Sequence, residues 1–146
     1  MNKQQTWNLL AKVAQSKSAE AQTQLVKARQ NLEEVAKSEK RLQDLYADYS
    51  ARLQPGGPSC TMAEAKNLRG FIEHIETLHQ SLIRNRMIAE RAVQGATRVF
   101  TLCETHRARM EGLAERALRQ EQKLLQAKEN KQMDALGISQ YIAARG

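Results

Sequence analysis

Three histidines, two cysteines and one Pro-Gly-Gly-Pro run are the residues of this chain whose types could carry chemistry. His74 and His79 lie five positions apart, whereas two imidazoles that share a helical face for zinc lie four apart, and no HExxH run occurs. No metal site and no cofactor are expected. Cys103 and His106 are three apart and could share a helical seam, as a thiolate nucleophile and its base would. Such a pair also needs a pocket and donors for an oxyanion. A two-stranded coiled coil offers neither, so Cys103 reads as a small apolar packing residue. Pro55-Gly56-Gly57-Pro58 lacks the spaced glycines and the lysine of a phosphate loop and reads as turn punctuation. Cys60 and Cys103, roughly 65 Å apart along one helix at 1.5 Å per residue, are too distant for an intrachain disulfide. An enzyme is therefore not expected.

The elements that would position these residues are helices. Ala, Leu, Gln, Glu, Lys and Arg dominate, all strong helix formers, while only two Phe, one Trp and three Tyr are present to anchor a globular core. Both prolines fall in the break Gln54-Pro55-Gly56-Gly57-Pro58-Ser59-Cys60, which forbids a continuous helix. Ser59 or Thr61 can cap the second helix, with Glu64 completing a capping box after Thr61. The expected layout is helix 1 over about 3–53, a loop over 54–60, helix 2 over about 61–136 capped by Gly137, and a tail over 137–146, forming one coiled-coil domain.

A heptad register fits both helices. Before the break, positions d are Trp7, Ala14, Ala21, Ala28, Val35, Leu42 and Tyr49. Positions a are Gln4, Ala11, Ser18, Leu25, Leu32, Glu39, Tyr46 and Leu53, with three polar exceptions. After the break, positions a run Leu68, Ile75, Leu82, Ala89, Ala96, Cys103, Met110, Ala117 and Leu124. Positions d run Phe71, Leu78, Asn85, Ala92, Val99, His106, Leu113, Gln120 and Ala127. A seven-residue repeat sustained this long predicts a left-handed coiled-coil seam. The fold class is thus all-α, an elongated two-helix antiparallel hairpin with helix 2 the longer. A loop centred near residue 57 pairs positions whose numbers total about 114, placing Trp7 near Arg107. Helix 2 would overhang from about Gly112 to Leu136 with an apolar stripe of Leu113, Ala117, Leu118, Leu124 and Leu125, which frays alone or is covered by another protein.

The net charge is +7 and unevenly spread. Residues 1–53 hold nine Lys/Arg against six Asp/Glu, residues 54–83 two against three, and residues 84–146 twelve against seven. The end holding both termini is basic and the tip near neutral. Basic and acidic residues are mixed, as at Glu111, Glu115 and Arg119, so a solvated face and a phosphate-tracking surface are the two readings. At the tip, Leu42, Leu45, Tyr46 and Tyr49 oppose Phe71, Ile72, Ile75, Leu78 and Leu82. Leu45 and Ile72 widen the stripe beyond what one helix covers, which leaves a thick local core or an exposed docking patch. No apolar run is long enough to span a membrane and no signal-peptide run opens the chain, so the cytoplasm is the expected location.

Several of these segments together resemble the flagellar type III export proteins of the FliJ family. Trp7-Asn8-Leu9-Leu10-Ala11-Lys12-Val13-Ala14 with Ala19, Ala21 and Leu25 resembles the family's first helix. Leu42 and Leu45 to Tyr49, with Asn67-Leu68-Arg69-Gly70-Phe71-Ile72, Ile75 and Leu78, resemble its two tip motifs. Glu129-Asn130-Lys131-Gln132-Met133-Asp134 and Ala143-Ala144-Arg145 resemble its C-terminal segment. The resemblance implies a coiled coil similar to the central stalk of rotary ATP synthases, entering a hexameric export ATPase ring, promoting its assembly and escorting export chaperones. It implies contact with the cytoplasmic linker of the membrane-embedded export gate through Leu42, Tyr46, Tyr49, Phe71, Ile75 and Leu78. Location would be cytoplasmic and peripheral to the inner membrane at the flagellar base. The basic residues Arg107, Arg109, Arg116, Arg119 and Lys123 are the candidates for ring contact. The equivalent stalk of a virulence secretion system, a basic helical nucleic-acid binder and a self-assembling coiled coil are the competing readings.

Overall fold

A computed structural model describes residues 2–53 and 61–145 and gives two helices, α1 (Lys3–Leu53, 51 residues) and α2 (Met62–Arg145, 84 residues). The expected turn over residues 54–60, with Ser59 and Cys60, lies outside the described residues. Both helices open on reciprocal caps. The Thr61 backbone N–H donates to Glu64 Oε2 and the Glu64 N–H returns to Thr61 Oγ1, each at 3.2 Å, which is the capping box read from the sequence. Asn2 and Gln5 do the same for α1: the Gln5 N–H donates to Asn2 Oδ1 at 2.8 Å and the Asn2 N–H to Gln5 Oε1 at 3.1 Å. That second cap has the same three-residue spacing and was legible in Asn2-Lys3-Gln4-Gln5.

Packing divides the chain into two units, residues 1–20 with 101–146, and residues 21–100. In the first, α1 buries Ala11, Ala14 and Ser18 against α2 at Ala114, with Trp7, Cys103, Met110, Leu113 and Ala117 half-buried. In the second, Ala21, Leu25, Glu39 and Leu42 of α1 and Ile75 and Ala89 of α2 are buried. Within each unit the two helices run antiparallel, since cross-helix partners descend along α2 as they ascend along α1: Gln15 to Glu111 and Ser18 to Glu104 in one, Glu39 to Arg86 and Tyr46 to Glu76 in the other. The seam is rich in alanine, and small side chains allow close helix approach but bury little area. Leu25, Leu42 and Ile75 therefore supply much of the apolar stabilisation in the second unit, at about 1.5–3 kcal/mol for each fully buried side chain.

The α1 register holds except at Tyr46, an a residue that is exposed. Every d residue from Trp7 to Tyr49 is buried or half-buried. Two of the three polar a residues, Ser18 and Glu39, are buried and find partners on α2, as buried polar groups must.

The α2 register departs from expectation in one column. The a residues from Leu68 to Ala117 do face α1, but Phe71, Leu78, Asn85, Ala92, Val99, His106, Gln120 and Ala127 are exposed. The second seam column is Ala65, Ile72, His79, Arg86, Val93, Phe100, Arg107 and Ala114. The columns three and four residues after an a position flank it on opposite sides, and α2 carries apolar residues in both. Arg86 marks the column that faces α1, because its partner Glu39 lies on α1. His106 accordingly leaves the seam while Cys103 stays half-buried in it.

Pairing also shifts. Ser18 with Glu104 and Tyr46 with Glu76 give number totals of 122, Glu39 with Arg86 gives 125 and Gln15 with Glu111 gives 126, not about 114, so in the second unit α2 begins beyond the end of α1. The same shift moves the start of the uncovered stretch in the first unit. Leu113 and Ala117 are half-buried, and every residue from Gln122 to Arg145 is exposed. The expected stop at Leu136 and tail over 137–146 are replaced by helix to Arg145. Gly137 does not take the left-handed backbone of a helix C-cap, no proline follows, and Gln140, Ala143, Ala144 and Arg145 favour continuation. Among the described residues no helix is long and apolar enough to cross a membrane.

Candidate functional site

Two candidate surfaces arise from what α1 leaves uncovered. The first lies in the second unit, where α1 ends and α2 begins. Tyr49 stacks on Phe71 with ring centroids 6.1 Å apart and planes 21° from parallel, and the Arg52 guanidinium lies over the Tyr49 ring, 5.4 Å from its centroid. The Tyr46 hydroxyl donates to Glu76 Oε1 at 3.4 Å. Leu42, Tyr46 and Ile75 line a groove of about 560 Å³ with Gln43, His79 and Gln80.

The six tip residues named from the resemblance separate by depth. Leu42 and Ile75 are buried at 9% and 6% exposure, so they hold the helices together beneath the surface. Tyr49 is half-buried, while Tyr46, Phe71 and Leu78 are exposed. Leu45 is exposed as its position outside the seam predicts, but Ile72 belongs to the seam. Phe71, at 57% exposure, is the surplus apolar side chain in its place. An open aromatic and aliphatic patch rimmed by Glu76 and Arg52 can bind an apolar segment of a protein.

The second surface lies in the first unit. The five cations named there also separate. Arg107 is half-buried and fully engaged: its Nε donates to Glu104 Oε1 at 3.1 Å, Nη2 to Glu104 Oε2 at 2.8 Å, and Nη1 to Glu111 Oε2 at 2.6 Å. Glu104 in turn accepts from the buried Ser18 hydroxyl, and Glu111 accepts from the Gln15 amide at 2.7 Å. Arg107 therefore holds Glu104 and Glu111 of its own helix in place, and these two carboxylates clasp α1 through Ser18 and Gln15. Arg119 pairs with Glu115 one turn earlier at 2.6 Å, both exposed. Arg109, Arg116 and Lys123 are exposed and make no ion pair among the described residues.

The clasp has an electrostatic signature. Hydrogen bonds from Arg107 and then Ser18 hold the Glu104 carboxyl below its ordinary range, and those from Gln15 and then Arg107 do the same for Glu111. The Arg107 guanidinium is correspondingly raised by Glu104 and Glu111. A carboxylate whose pKa is lowered on folding stabilises the fold above its unfolded pKa, and that contribution is lost as pH falls through the folded value. The clasp should thus be intact at neutral pH and weaken only as pH falls below the ordinary carboxylate range. In urea unfolding, Arg107→Met should destabilise the protein at pH 7, and its difference from the parent should shrink as the pH is lowered through the acid range; a difference that stayed constant with pH would exclude the clasp.

Among the described residues no group of three or more His, Cys, Asp or Glu could hold a metal ion. His79 lies half-buried in the second seam column of α2, while His74 and His106 are exposed. Sequence reasoning missed the Glu39 and Arg86 pair, whose signal was a lone acidic a residue on α1 facing a column in which His79 and Arg86 are the polar members between Ala65 and Phe100. The family model described as "Flagellar FliJ protein" matches residues 4–146. No curated protein and no solved structure matches the chain.

Proposed function

The chain belongs to the flagellar FliJ family, and from that premise we propose that it works in flagellar protein export as a non-catalytic coiled-coil stalk. In this reading the exposed Tyr46, Phe71 and Leu78, with Tyr49 behind them, bind the cytoplasmic linker of the export gate. Arg109, Arg116 and Lys123 engage the hexameric export ATPase and promote its assembly, and the uncovered α2 segment from Gln122 to Arg145 receives export chaperones. The cytoplasmic face of the inner membrane at the flagellar base is where those partners meet. Membership of a flagellar family favours this setting over a virulence secretion system.

The observation that carries the reading is that α2 outruns α1. Its 84 residues against 51 leave apolar side chains uncovered in the first unit, among them Leu124 at 72%, Met133 at 71% and Ile142 at 64% exposure. A helix that gained nothing from that surface would be expected to fray. The two groups of contacts are separable by mutation. With the purified gate cytoplasmic domain, Phe71→Ala/Leu78→Ala should weaken binding at least about tenfold, which is only about 1.4 kcal/mol, and leave ATPase stimulation unchanged. Arg116→Glu/Lys123→Glu should do the reverse. Unchanged gate binding by the folded double variant would remove the tip assignment, and unchanged ATPase stimulation would remove the other.

A further inference from the structure

The column of α2 displaced from the seam continues well away from the aromatic patch. Within the second unit, Ile88, Ala92, Gly95 and Val99 follow one another at spacings of four, three and four, the spacing of a coiled-coil seam. All four are exposed, Ile88 at 63% and Val99 at 53%. This stripe lies beside the α1-facing column of Leu82, Ala89 and Ala96 and is not covered by α1. A helix with two covered columns and apolar residues in two uncovered columns beside them has the pattern of one that packs against two neighbours at once. A Cβ at Gly95 would meet nothing within 4 Å, so the chain's own packing does not require glycine there.

The far edge of the stripe is an arginine column. Arg84, Arg91 and Arg98 recur every seven residues immediately outside Ile88 and Gly95. All three are exposed, and among the described residues none makes an ion pair. The corresponding positions nearer the start of α2 are Gly70 and Thr77, so the cationic border is confined to this stretch and does not extend to the Phe71 patch. We propose that this face of α2 docks an acidic amphipathic helix of a partner protein, whose apolar side chains lie on Ile88, Ala92, Gly95 and Val99 and whose carboxylates meet Arg84, Arg91 and Arg98. A second copy of this chain fits less well, because antiparallel packing through the same stripe sets one arginine column against the other, and like charges there repel.

The test uses the full chain and two labelled synthetic helical peptides with the same Leu/Ala seam, one flanked by Glu and one by Lys, followed by fluorescence anisotropy. The Glu peptide is expected to bind and the Lys peptide to bind at least tenfold more weakly. Arg91→Glu/Arg98→Glu should weaken the Glu peptide at least tenfold and favour the Lys peptide, and raising salt should weaken the parent interaction. Ile88→Ser/Val99→Ser should also abolish it, with helix content by circular dichroism unchanged because both side chains are on the exposed face. Phe71→Ala should have no effect, which separates this surface from gate binding. Failure of the Glu peptide to bind, equal binding of the two peptides, insensitivity to Ile88→Ser/Val99→Ser, or light scattering that shows the free chain dimerising through this stripe would each overturn the proposal.

Discussion

Ile75→Ala is expected to lower the unfolding free energy by about 2–4 kcal/mol, because it removes a branched side chain 6% exposed from an alanine-rich seam that cannot refill the space. Phe71→Ala, on the same helix four residues earlier, removes a side chain already 57% exposed and should cost under about 1 kcal/mol, mostly the lost stacking on Tyr49. Urea denaturation followed by circular dichroism compares the two directly. The contrast matters for interpreting binding, since a gate-binding defect in Ile75→Ala would report a loosened helix pair, whereas one in Phe71→Ala would report the surface. If Ile75→Ala unfolded at the same urea concentration as the parent, Ile75 would not be a seam residue and the α2 register would need revision.

The second large effect is an asymmetry. Arg86 Nη1 donates to both oxygens of Glu39 at 2.8 and 2.9 Å, and the Glu39 side chain is only 7% exposed against 38% for Arg86. Arg86→Met strands a buried carboxylate and is expected to cost about 3 kcal/mol. Glu39→Met strands a guanidinium that already reaches water and has Glu90 within 3.7 Å, while adding apolar volume to the seam; it should be neutral or stabilising. The same denaturation series reads both, and equal losses from the two variants would contradict the burial difference. Glu39→Met should also relax the pairing register, visible as altered cross-linking between cysteines introduced at exposed positions of α1 and α2.

The features legible from the sequence are local ones. The Thr61 and Glu64 cap depends on residues three apart, and the α1 seam from Trp7 to Tyr49 offers only one well-populated apolar stripe. Absence of an HExxH or phosphate loop is likewise a matter of spacing. The tip cluster was recognisable as a cluster, but its division into buried Leu42 and Ile75 and exposed Tyr46, Phe71 and Leu78 was not. That division depends on which side of α2 turns inward, and Phe71 and Ile72 are equally apolar neighbours.

By itself, then, the sequence determined two long helices, the break between them, the seam of α1 and the family segments spread along the chain. Tertiary structure alone decided which two of the apolar columns of α2 meet α1, where the helices pair, and hence that α2 is uncovered from Gln122. The reason is the repeat itself. Sliding one heptad helix past another by seven residues, or turning it by one column, matches apolar against apolar almost as well, so the pattern is degenerate. Polar contacts across the seam, Ser18 with Glu104 and Glu39 with Arg86, favour one alignment over the others.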